Sequence, residues 1–201
     1  MDLFGFDHQL NILPCDGEVY YFSELIDDAK ATLLFTELLE NISWEHDELV
    51  IYGKHITTKR KTAWYGDNAL KYSYSNTTKT ALPWIPALIG LKKLVEERSQ
   101  ATFNSCLLNL YHTGEEGMAW HSDDEKELGS KPIIASVSLG AERKFVFKHK
   151  VSKESVSHHL EQGSLLLMKG STQQHWQHSL PKTKKVTEPR INLTFRTIIN
   201  D

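Results

Sequence analysis

Near its end, the 201-residue chain reads Arg190-Ile191-Asn192-Leu193-Thr194-Phe195-Arg196, a strict alternation of polar and apolar residues. Side chains two positions apart lie on the same face of a β-strand, so this stretch predicts a strand with one polar and one apolar face. The polar face has two interpretations. It is either the solvent face of a half-buried strand or a clamp for a dicarboxylate, because a guanidinium group matches a carboxylate with two parallel hydrogen bonds.

Other strand-like segments precede this one, and each is rich in β-branched, aromatic or apolar residues. They are Leu49–Tyr52, Leu70–Ser75, Phe103–Tyr111, Ile133–Leu139, Lys144–Lys148 and Ser164–Met168, and the last strand extends over Ile191–Ile199. Two stretches instead have apolar residues near a period of 3.6 and predict helices: Ser23 to Ile42, with Ser23 as N-cap, and Trp84 to Glu97. Short strands after a leading helix predict an α+β protein whose core is a β-sandwich or jelly roll with helices on one side.

Composition limits the class of protein. Hydrophobic residues make up 40% and charged residues 24% of the chain, which predicts one folded domain with a sizeable core. The two cysteines, Cys15 and Cys106, exclude a disulfide framework and a zinc knuckle built on a Cys-x-x-Cys pair. The N-terminal residues lack a signal-peptide pattern, and no apolar run approaches the roughly 20 residues of a membrane helix. We therefore expect a reduced protein, neither secreted nor membrane-bound, cytoplasmic in a bacterium and nuclear in a eukaryote.

Charge is distributed unevenly along the chain, although the net charge is only −3. Residues 1–50 contain 12 acidic residues and one lysine, a net of −11, so the remainder contains 14 acidic and 22 basic residues, a net of +8. A basic body behind an acidic N-terminal segment is compatible with binding phosphates.

Two histidine motifs, His121-Ser122-Asp123 and His175-Trp176-Gln177-His178, have the character of metal ligands. Two histidines and one carboxylate on one face of a metal leave positions open for a 2-oxo acid and dioxygen, as in non-haem Fe(II) oxygenases. Taken alone, a His-x-Asp pair is more typical of a solvated turn. At the end of an extended strand, however, both of its side chains point the same way. His175 and His178 would face opposite sides of a strand, so only one can complete the set, and spacing does not choose between them.

Four motifs together resemble the AlkB family of Fe(II)- and 2-oxoglutarate-dependent dioxygenases, most closely its members that repair duplex DNA. They are Asn109-Leu110-Tyr111, His121-Ser122-Asp123-Asp124-Glu125, His175-Trp176-Gln177-His178-Ser179-Leu180-Pro181 and Arg190-x-Asn192-x-Thr194-Phe195-Arg196, in the family's order and spacing. The resemblance covers roughly residues 48–199. It implies a single domain over residues 1–201, with an acidic N-terminal extension at about 1–47, a nucleotide-recognition lid at about 48–80 and a double-stranded β-helix core at about 100–199.

The resemblance also implies which residues hold the iron and its co-substrate. The iron ligands would be His121, Asp123 and His178, which excludes His175 from the set. The implied cofactors are Fe(II), 2-oxoglutarate as co-substrate, and O2. Arg190 would pair with the far carboxylate of 2-oxoglutarate, and Arg196 would hold the carboxylate end near the iron. The remaining residues of this predicted clamp are Asn109, Tyr111, Asn192 and Thr194.

A base inside a duplex cannot reach a buried iron, so an enzyme of this family has to flip it out of the stack. The resemblance places Tyr74 where an aromatic ring sandwiches the flipped base against His121. Tyr72 and Glu125 would contact the edge of the base, and the same predicted pocket includes Ser75 and Asp124. The alternative for the two tyrosines is an aromatic strand face packed on the core.

Two further features concern the nucleic-acid backbone. In Ile51-Tyr52-Gly53, Tyr52 stands where duplex-repairing members carry an aromatic finger that fills the gap left by the flipped base, although those members have Phe there. Basic residues flank these segments, and they are predicted to contact phosphates rather than to form ordinary solvated loops. The predicted contacts are Arg60 in the lid and Lys182, Lys184 and Lys185 after the distal histidine.

The activity that the resemblance implies is oxidative removal of alkyl groups from bases such as 1-methyladenine and 3-methylcytosine. The implied partner is alkylated DNA, duplex or single-stranded, or RNA, and the enzyme is expected to act as a monomer without a membrane. The alternatives are an RNA demethylase of the same family, a 2-oxoglutarate-dependent protein hydroxylase, and a jelly-roll binding module without metal. The lid aromatics argue against the hydroxylase, and the intact ligand and arginine set argues against the module.

Overall fold

The computed structural model describes residues 10–51, 54–67, 70–74 and 77–199. Its helices are α1 (Asp28–Asn41), α2 (Pro86–Ser99) and the short α3 (Thr172–His175), and a 3-10 turn covers Lys126–Leu128. Its strands are β1 (Glu18–Phe22), β2 (Glu45–Ile51), β3 (Lys54–Gly66), β4 (Lys71–Tyr74), β5 (Thr77–Thr80), β6 (Leu82–Pro83), β7 (Ser105–Tyr111), β8 (Met118–His121), β9 (Ile134–Gly140), β10 (Arg143–His149), β11 (Ser155–Leu160), β12 (Leu165–Lys169), β13 (Trp176–Leu180) and β14 (Arg190–Arg196). Among these helices, none is long and apolar enough to cross a membrane.

The strands of the described ranges form a large sheet and a small sheet. The large sheet has the order β1-β12-β9-β14-β7-β3-β2, with β6 also paired to β3, and the small sheet has the order β11-β10-β13-β8. A separate hairpin consists of β4 and β5. Neighbours along both sheet orders run antiparallel, which agrees with the predicted α+β jelly roll.

Strand β12 shows how the layers are arranged, because its two faces pack into different cores. Leu165 and Leu167 belong to the larger core, which also contains buried residues of α1 and α2. Leu166 and Met168 belong to a second core, which they share with residues of the small sheet such as Phe147. The large sheet is therefore the middle layer, with helices on one face and the small sheet on the other.

Helix α1 begins at Asp28, and the predicted start at Ser23 was wrong. The N-cap is Asp27, whose side chain accepts a hydrogen bond from the backbone N–H of Lys30 at 2.9 Å. The segment before it lies outside the helix, and the backbone N–H groups of Leu25 and Ile26 both bond to the carbonyl of Gly163.

Helix α2 begins at Pro86, two residues after the predicted start at Trp84. The residue before a proline is disfavoured in the helical conformation, and proline itself is favoured in the first turn. The helix ends at Ser99, where Gln100 adopts a left-handed conformation with φ of 53°.

Part of the predicted lid belongs to the large sheet. Residues 61–66 of β3 pair with β7 from Leu110 to Ser105, whereas β4 and β5 stand apart from that sheet. The division of the chain into extension, lid and core stays a prediction.

Candidate active site

Three side chains meet at the end of strand β8. His121 is the last residue of β8, and the antiparallel register places it opposite His178 of β13. Asp123 follows two residues later, where its backbone N–H donates to Oε1 of Gln173 at 2.9 Å. The hydroxyl of Ser122 donates to the carbonyl of Trp176 in β13 at 3.0 Å. Ser122 and Asp123 are therefore each hydrogen-bonded to a neighbouring segment.

The ligand atoms of His121, Asp123 and His178 all lie within 4.8 Å of one another. The two Nε2 atoms are 3.1 Å apart, and Nε2 of His178 is 3.8 Å from Oδ2 of Asp123. Ligand atoms bound to adjacent positions of one octahedral metal lie about 3 Å apart, so this set needs only small movements to hold one ion.

The protonation of the two imidazoles also suits a metal. Nδ1 of His121 lies 2.8 Å from the carbonyl of Ala119, and because a carbonyl can only accept, Nδ1 carries the ring proton. Nε2 of His121 therefore presents its lone pair to the centre of the cluster. Burial lowers the pKa of His178 to about 3, which keeps its ring neutral and able to coordinate.

Asp123 is ionised, as a metal ligand has to be. Burial raises its pKa, but the positive charge of Arg196 opposes this, and the net effect lowers the pKa. The guanidinium of Arg196 donates to Oδ1 of Asp123 at 2.5 Å, while Oδ2 is the oxygen nearer His178.

A cavity extends from this cluster between the two sheets. It contains about 510 Å³ of empty space, its open mouth included. The predicted polar face of β14 lines it, and the apolar residues between belong to the larger core. The strand is therefore buried on both faces rather than half exposed. Besides the cluster itself, the predicted residues that line the cavity are Asn109, Tyr111, Arg190, Asn192, Thr194 and Arg196.

Arg190 is a buried cation at this cavity, with 2% of its surface exposed. Its Nη2 donates to the hydroxyl of Ser138 at 2.9 Å and to Oδ1 of Asn192 at 2.8 Å. Nε has no hydrogen-bond partner, and among the described residues no carboxylate pairs with Arg190. Burial lowers the pKa of Arg190 to about 10, so it remains charged at neutral pH. A buried charge without a counterion is costly, so an anion in the cavity would be stabilised beside this group.

Hydrogen bonds connect the residues along the polar face of β14. Oδ1 of Asn192 accepts from Arg190 and also from the hydroxyl of Ser136 at 2.9 Å, and its Nδ2 donates to Thr194 at 2.8 Å. Ser136 and Ser138 were not predicted as site residues. The signal was present, because both alternate with apolar residues in the predicted strand Ile133–Leu139.

Arg143 is a second buried arginine that the sequence did not indicate, since a single arginine in a strand has no motif. Its guanidinium donates to the carbonyls of Glu116 and Pro181, both at 2.9 Å, and lies near those of Thr113 and Gly114. It thereby ties the turn after β7 to the loop after β13. The lysines predicted to contact phosphates, Lys182, Lys184 and Lys185, are exposed on that loop.

The residues predicted to recognise the base are only partly described. Tyr52 and Ser75 lie outside the described residues, and for Tyr72 and Tyr74 only the position in β4 is given. Nη1 of Arg60 is 3.5 Å from Sδ of Met118, a residue that lines the cavity. Asp124 is paired with Lys150 at 3.5 Å, and Glu125 stands at the start of the 3-10 turn. Their roles stay predictions.

His175 is not part of the cluster. It ends α3 and lies with Asp16 and His149 in a different group of potential ligands. The choice between His175 and His178 that spacing left open is explained by the fold, because β13 begins only at Trp176 and carries His178 alone.

A model of the 2OG-Fe(II) oxygenase superfamily matches residues 18–196. The chain is 38% identical to alpha-ketoglutarate-dependent dioxygenase alkB homolog 3 of Mus musculus, over 96% of this chain and 71% of that protein. It is 41% identical to DNA oxidative demethylase ALKBH2 of Bos taurus, over 93% of this chain and 69% of that protein. A solved structure described as the structure of OsALKBH1 superposes with a TM-score of 0.65 at 17% identity, covering 92% of this chain and 98% of the other, and shows the same fold.

Proposed function

Because the chain belongs to the AlkB family within the 2OG-Fe(II) oxygenase superfamily, we propose that it repairs nucleic acid by oxidatively removing alkyl groups from damaged bases. Fe(II), 2-oxoglutarate and O2 are the cofactors of this superfamily. One observation carries the proposal: the His121, Asp123 and His178 cluster and the unpaired Arg190 cation line the same cavity. The names of several relatives, DNA oxidative demethylase, favour N-alkylated DNA bases of the 1-methyladenine and 3-methylcytosine type.

The metal ligands of the proposed enzyme are His121, Asp123 and His178. Arg196 holds Asp123 in place through one oxygen and keeps it ionised, so the other oxygen faces the metal position. Phe145 stacks on His178 with ring centroids 5.3 Å apart and keeps bulk water from that side of the ring. Bound iron supplies the oxidising chemistry that hydroxylates the alkyl carbon, with release of succinate, CO2 and an aldehyde.

The 2-oxoglutarate site lies along β14. Arg190 binds the far carboxylate, since its Nε is unpaired and its charge has no counterion among the described residues. Asn192 orients Arg190, and Asn109, whose buried amide oxygen also lacks a partner, lies beside the same space. Tyr111 is fully buried there with Arg190 5.7 Å from its ring, and burial raises its pKa, so it stays a neutral donor.

The substrate side of the proposal concerns the segment around β4 and the basic loop after β13. Tyr74 stacks on the flipped base, and Tyr72 and Glu125 contact its edge. Arg60 and the exposed lysines of the loop contact phosphates, which position the strand without reading its sequence. Arg143 keeps that loop beside the cavity.

The proposal is tested by incubating the Fe(II)-loaded protein with 2-oxoglutarate in air and oligonucleotides that contain one 1-methyladenine. Matched single- and double-stranded DNA and single-stranded RNA are compared, and the bases are quantified by mass spectrometry. We expect loss of the methyl group from DNA with the wild type and not with His178→Ala. Turnover of 2-oxoglutarate to succinate without loss of methyl from any oligonucleotide would exclude base repair and leave a protein hydroxylase. Faster demethylation of RNA than of either DNA would instead make it an RNA demethylase.

Tyr52 is the proposed finger that fills the gap in a duplex. Tyr52→Ala is expected to slow demethylation of duplex DNA at least tenfold while single-strand demethylation changes less than twofold, because only the duplex has a gap to fill. The ratio of the two rates is the measurement, and Tyr52→Phe, which keeps the flat ring, is the matched control. An unchanged ratio in Tyr52→Ala would exclude the finger.

A further inference from the structure

We propose that Asp16, His149 and His175 form a second metal site, outside the cavity, for a divalent transition-metal ion of the Zn²⁺ type. The potential ligand atoms of these three residues lie within 4.8 Å of one another. Nε2 of His149 is 3.4 Å from Oδ2 of Asp16. Ligand atoms about 2.1 Å from a tetrahedral zinc ion lie about 3.4 Å apart, so this pair already has the required separation.

The nitrogen of His149 that faces Asp16 is buried and has no hydrogen-bond partner, and its contact with the Asp16 carboxylate is 3.4 Å long. The side chain of His149 is 8% exposed, and its Nε2 makes no hydrogen bond. A buried polar atom without a partner costs free energy, and such atoms are rare enough to call for an explanation. A metal ion between His149 and Asp16 would satisfy this nitrogen.

The other ring nitrogen of His149 already has hydrogen-bond partners. Nδ1 lies 3.0 Å from the backbone nitrogen and 3.1 Å from the hydroxyl oxygen of Ser152. Without metal, the backbone N–H donates to Nδ1, and the ring proton is on Nε2. Coordination through Nε2 would require that proton to move to Nδ1, where the hydroxyl oxygen of Ser152 is within hydrogen-bond distance to accept it. A metal-bound histidine whose second nitrogen donates to a neighbouring oxygen is the usual arrangement.

The three ligands come from distant parts of the chain, yet their backbones are held together. Asp16 is fixed by two bonds: its carbonyl accepts from Ser171 at 3.2 Å, and the preceding carbonyl accepts from the indole of Trp176 at 3.0 Å. His149 pairs with Trp176 in the small sheet, and the N–H of Lys150 donates to the carbonyl of His175 at 2.7 Å. The rings of His149 and His175 are parallel, with centroids 6.2 Å apart.

The donor set indicates the chemistry of the ion. Two imidazoles and one carboxylate suit Zn²⁺, Ni²⁺ or Cu²⁺ better than Mg²⁺ or Ca²⁺, which prefer oxygen ligands. The side chain of Asp16 is 54% exposed, so an ion can enter from solvent. Bound there, the ion would link the segment before β1 to the end of β10 and to α3, which directly precedes β13, the strand that carries His178.

The test uses metal-free protein in which His121→Ala and Asp123→Ala remove the proposed iron site. Equilibrium dialysis against Zn²⁺, followed by elemental analysis, counts the ions bound per chain. We expect one zinc per chain in this background, none after the further change His175→Ala, and at least tenfold weaker binding after Asp16→Asn. His159→Ala is the matched control, because His159 is an exposed histidine of the same sheet that pairs with Glu142.

Thermal unfolding checks that each variant is folded without metal. Zinc is expected to raise the Tm of the background protein and of His159→Ala, and not that of His175→Ala. Asp16→Asn keeps a residue that tolerates the left-handed conformation of this position, so it preserves the fold even if His175→Ala does not. No zinc in the background protein, or unchanged zinc affinity in both variants, would overturn the proposal.

Discussion

Two buried arginines differ in how many oxygen atoms of the protein surround their terminal nitrogens. Arg143 has four carbonyl oxygens within 3.5 Å of these nitrogens, although its Nε has no hydrogen-bond partner. Arg190 donates hydrogen bonds to only two neutral oxygens, both from Nη2, and its Nε has no hydrogen-bond partner. Because Arg190 has fewer oxygen partners and lines the cavity, it is the arginine that we propose binds the co-substrate.

Arg190→Met is expected to raise the KM for 2-oxoglutarate about 10- to 150-fold, the effect of losing a charged hydrogen bond of about 1.5–3 kcal/mol. Fe(II) affinity should change little, because Arg190 does not contact the ligand set. Steady-state kinetics with varied 2-oxoglutarate measure the effect. The matched control is Arg98→Met, on helix α2 away from the cavity. An unchanged KM in Arg190→Met would contradict the assignment.

The depressed pKa of His178 has a consequence for the metal-free protein. Its folded pKa is about 3 because of burial, whereas an unfolded histidine has a pKa near 6.5. Between these values the unfolded state binds a proton that the folded state does not, so stability is lost as pH falls below about 6.5. The Tm of the wild-type protein, measured with a chelator to remove metal, should fall more steeply between pH 7 and pH 5 than that of His178→Gln. Equal slopes for the two proteins would mean that His178 is not buried in its neutral form.

At the scale of elements, the sequence predicted the positions of several strands, but it predicted neither their exact ends nor the strands with which they pair. The alternation of polar and apolar residues predicted β14 correctly, because one face of this strand lines the cavity with polar side chains and the other packs in the core. The strands that were not predicted are β1, β3, β5, β6, β8, β11 and β13, and the start of α1 was misplaced. Ser23 is as good an N-cap residue as Asp27, and only the contact of residues 25 and 26 with Gly163 distinguishes them. Such a contact spans more than 130 positions and is invisible to a local pattern.

The correction at α1 gives a direct comparison of two substitutions. Asp27→Ala removes the side chain that caps the N–H of Lys30 and should lower the free energy of unfolding by about 0.5–2 kcal/mol. Ser23→Ala lies outside the helix and should change it by less than about 0.5 kcal/mol. Urea denaturation of both variants measures this. A larger loss of unfolding free energy in Ser23→Ala than in Asp27→Ala would favour a helix with Ser23 as its N-cap.

At the scale of the molecule, the site depends on the two sheets facing each other. The cluster of His121, Asp123 and His178 belongs to the small sheet and the turn after β8, whereas the proposed co-substrate clamp belongs to the large sheet. The motifs of the sequence identified both halves, but nothing in their spacing places Arg196 on Asp123 or Phe145 on His178. Those contacts arise from the packing of one sheet on the other.

In the proposed enzyme, this one cavity couples consumption of 2-oxoglutarate to removal of an alkyl group from a base. The most direct measurement is the amount of succinate and aldehyde that the Fe(II)-loaded protein releases with a 1-methyladenine oligonucleotide and with its unmodified counterpart. We predict one aldehyde for each succinate with the methylated oligonucleotide, and no aldehyde and slower succinate release with the unmodified one. Equal succinate release from both, without aldehyde, would contradict the claim.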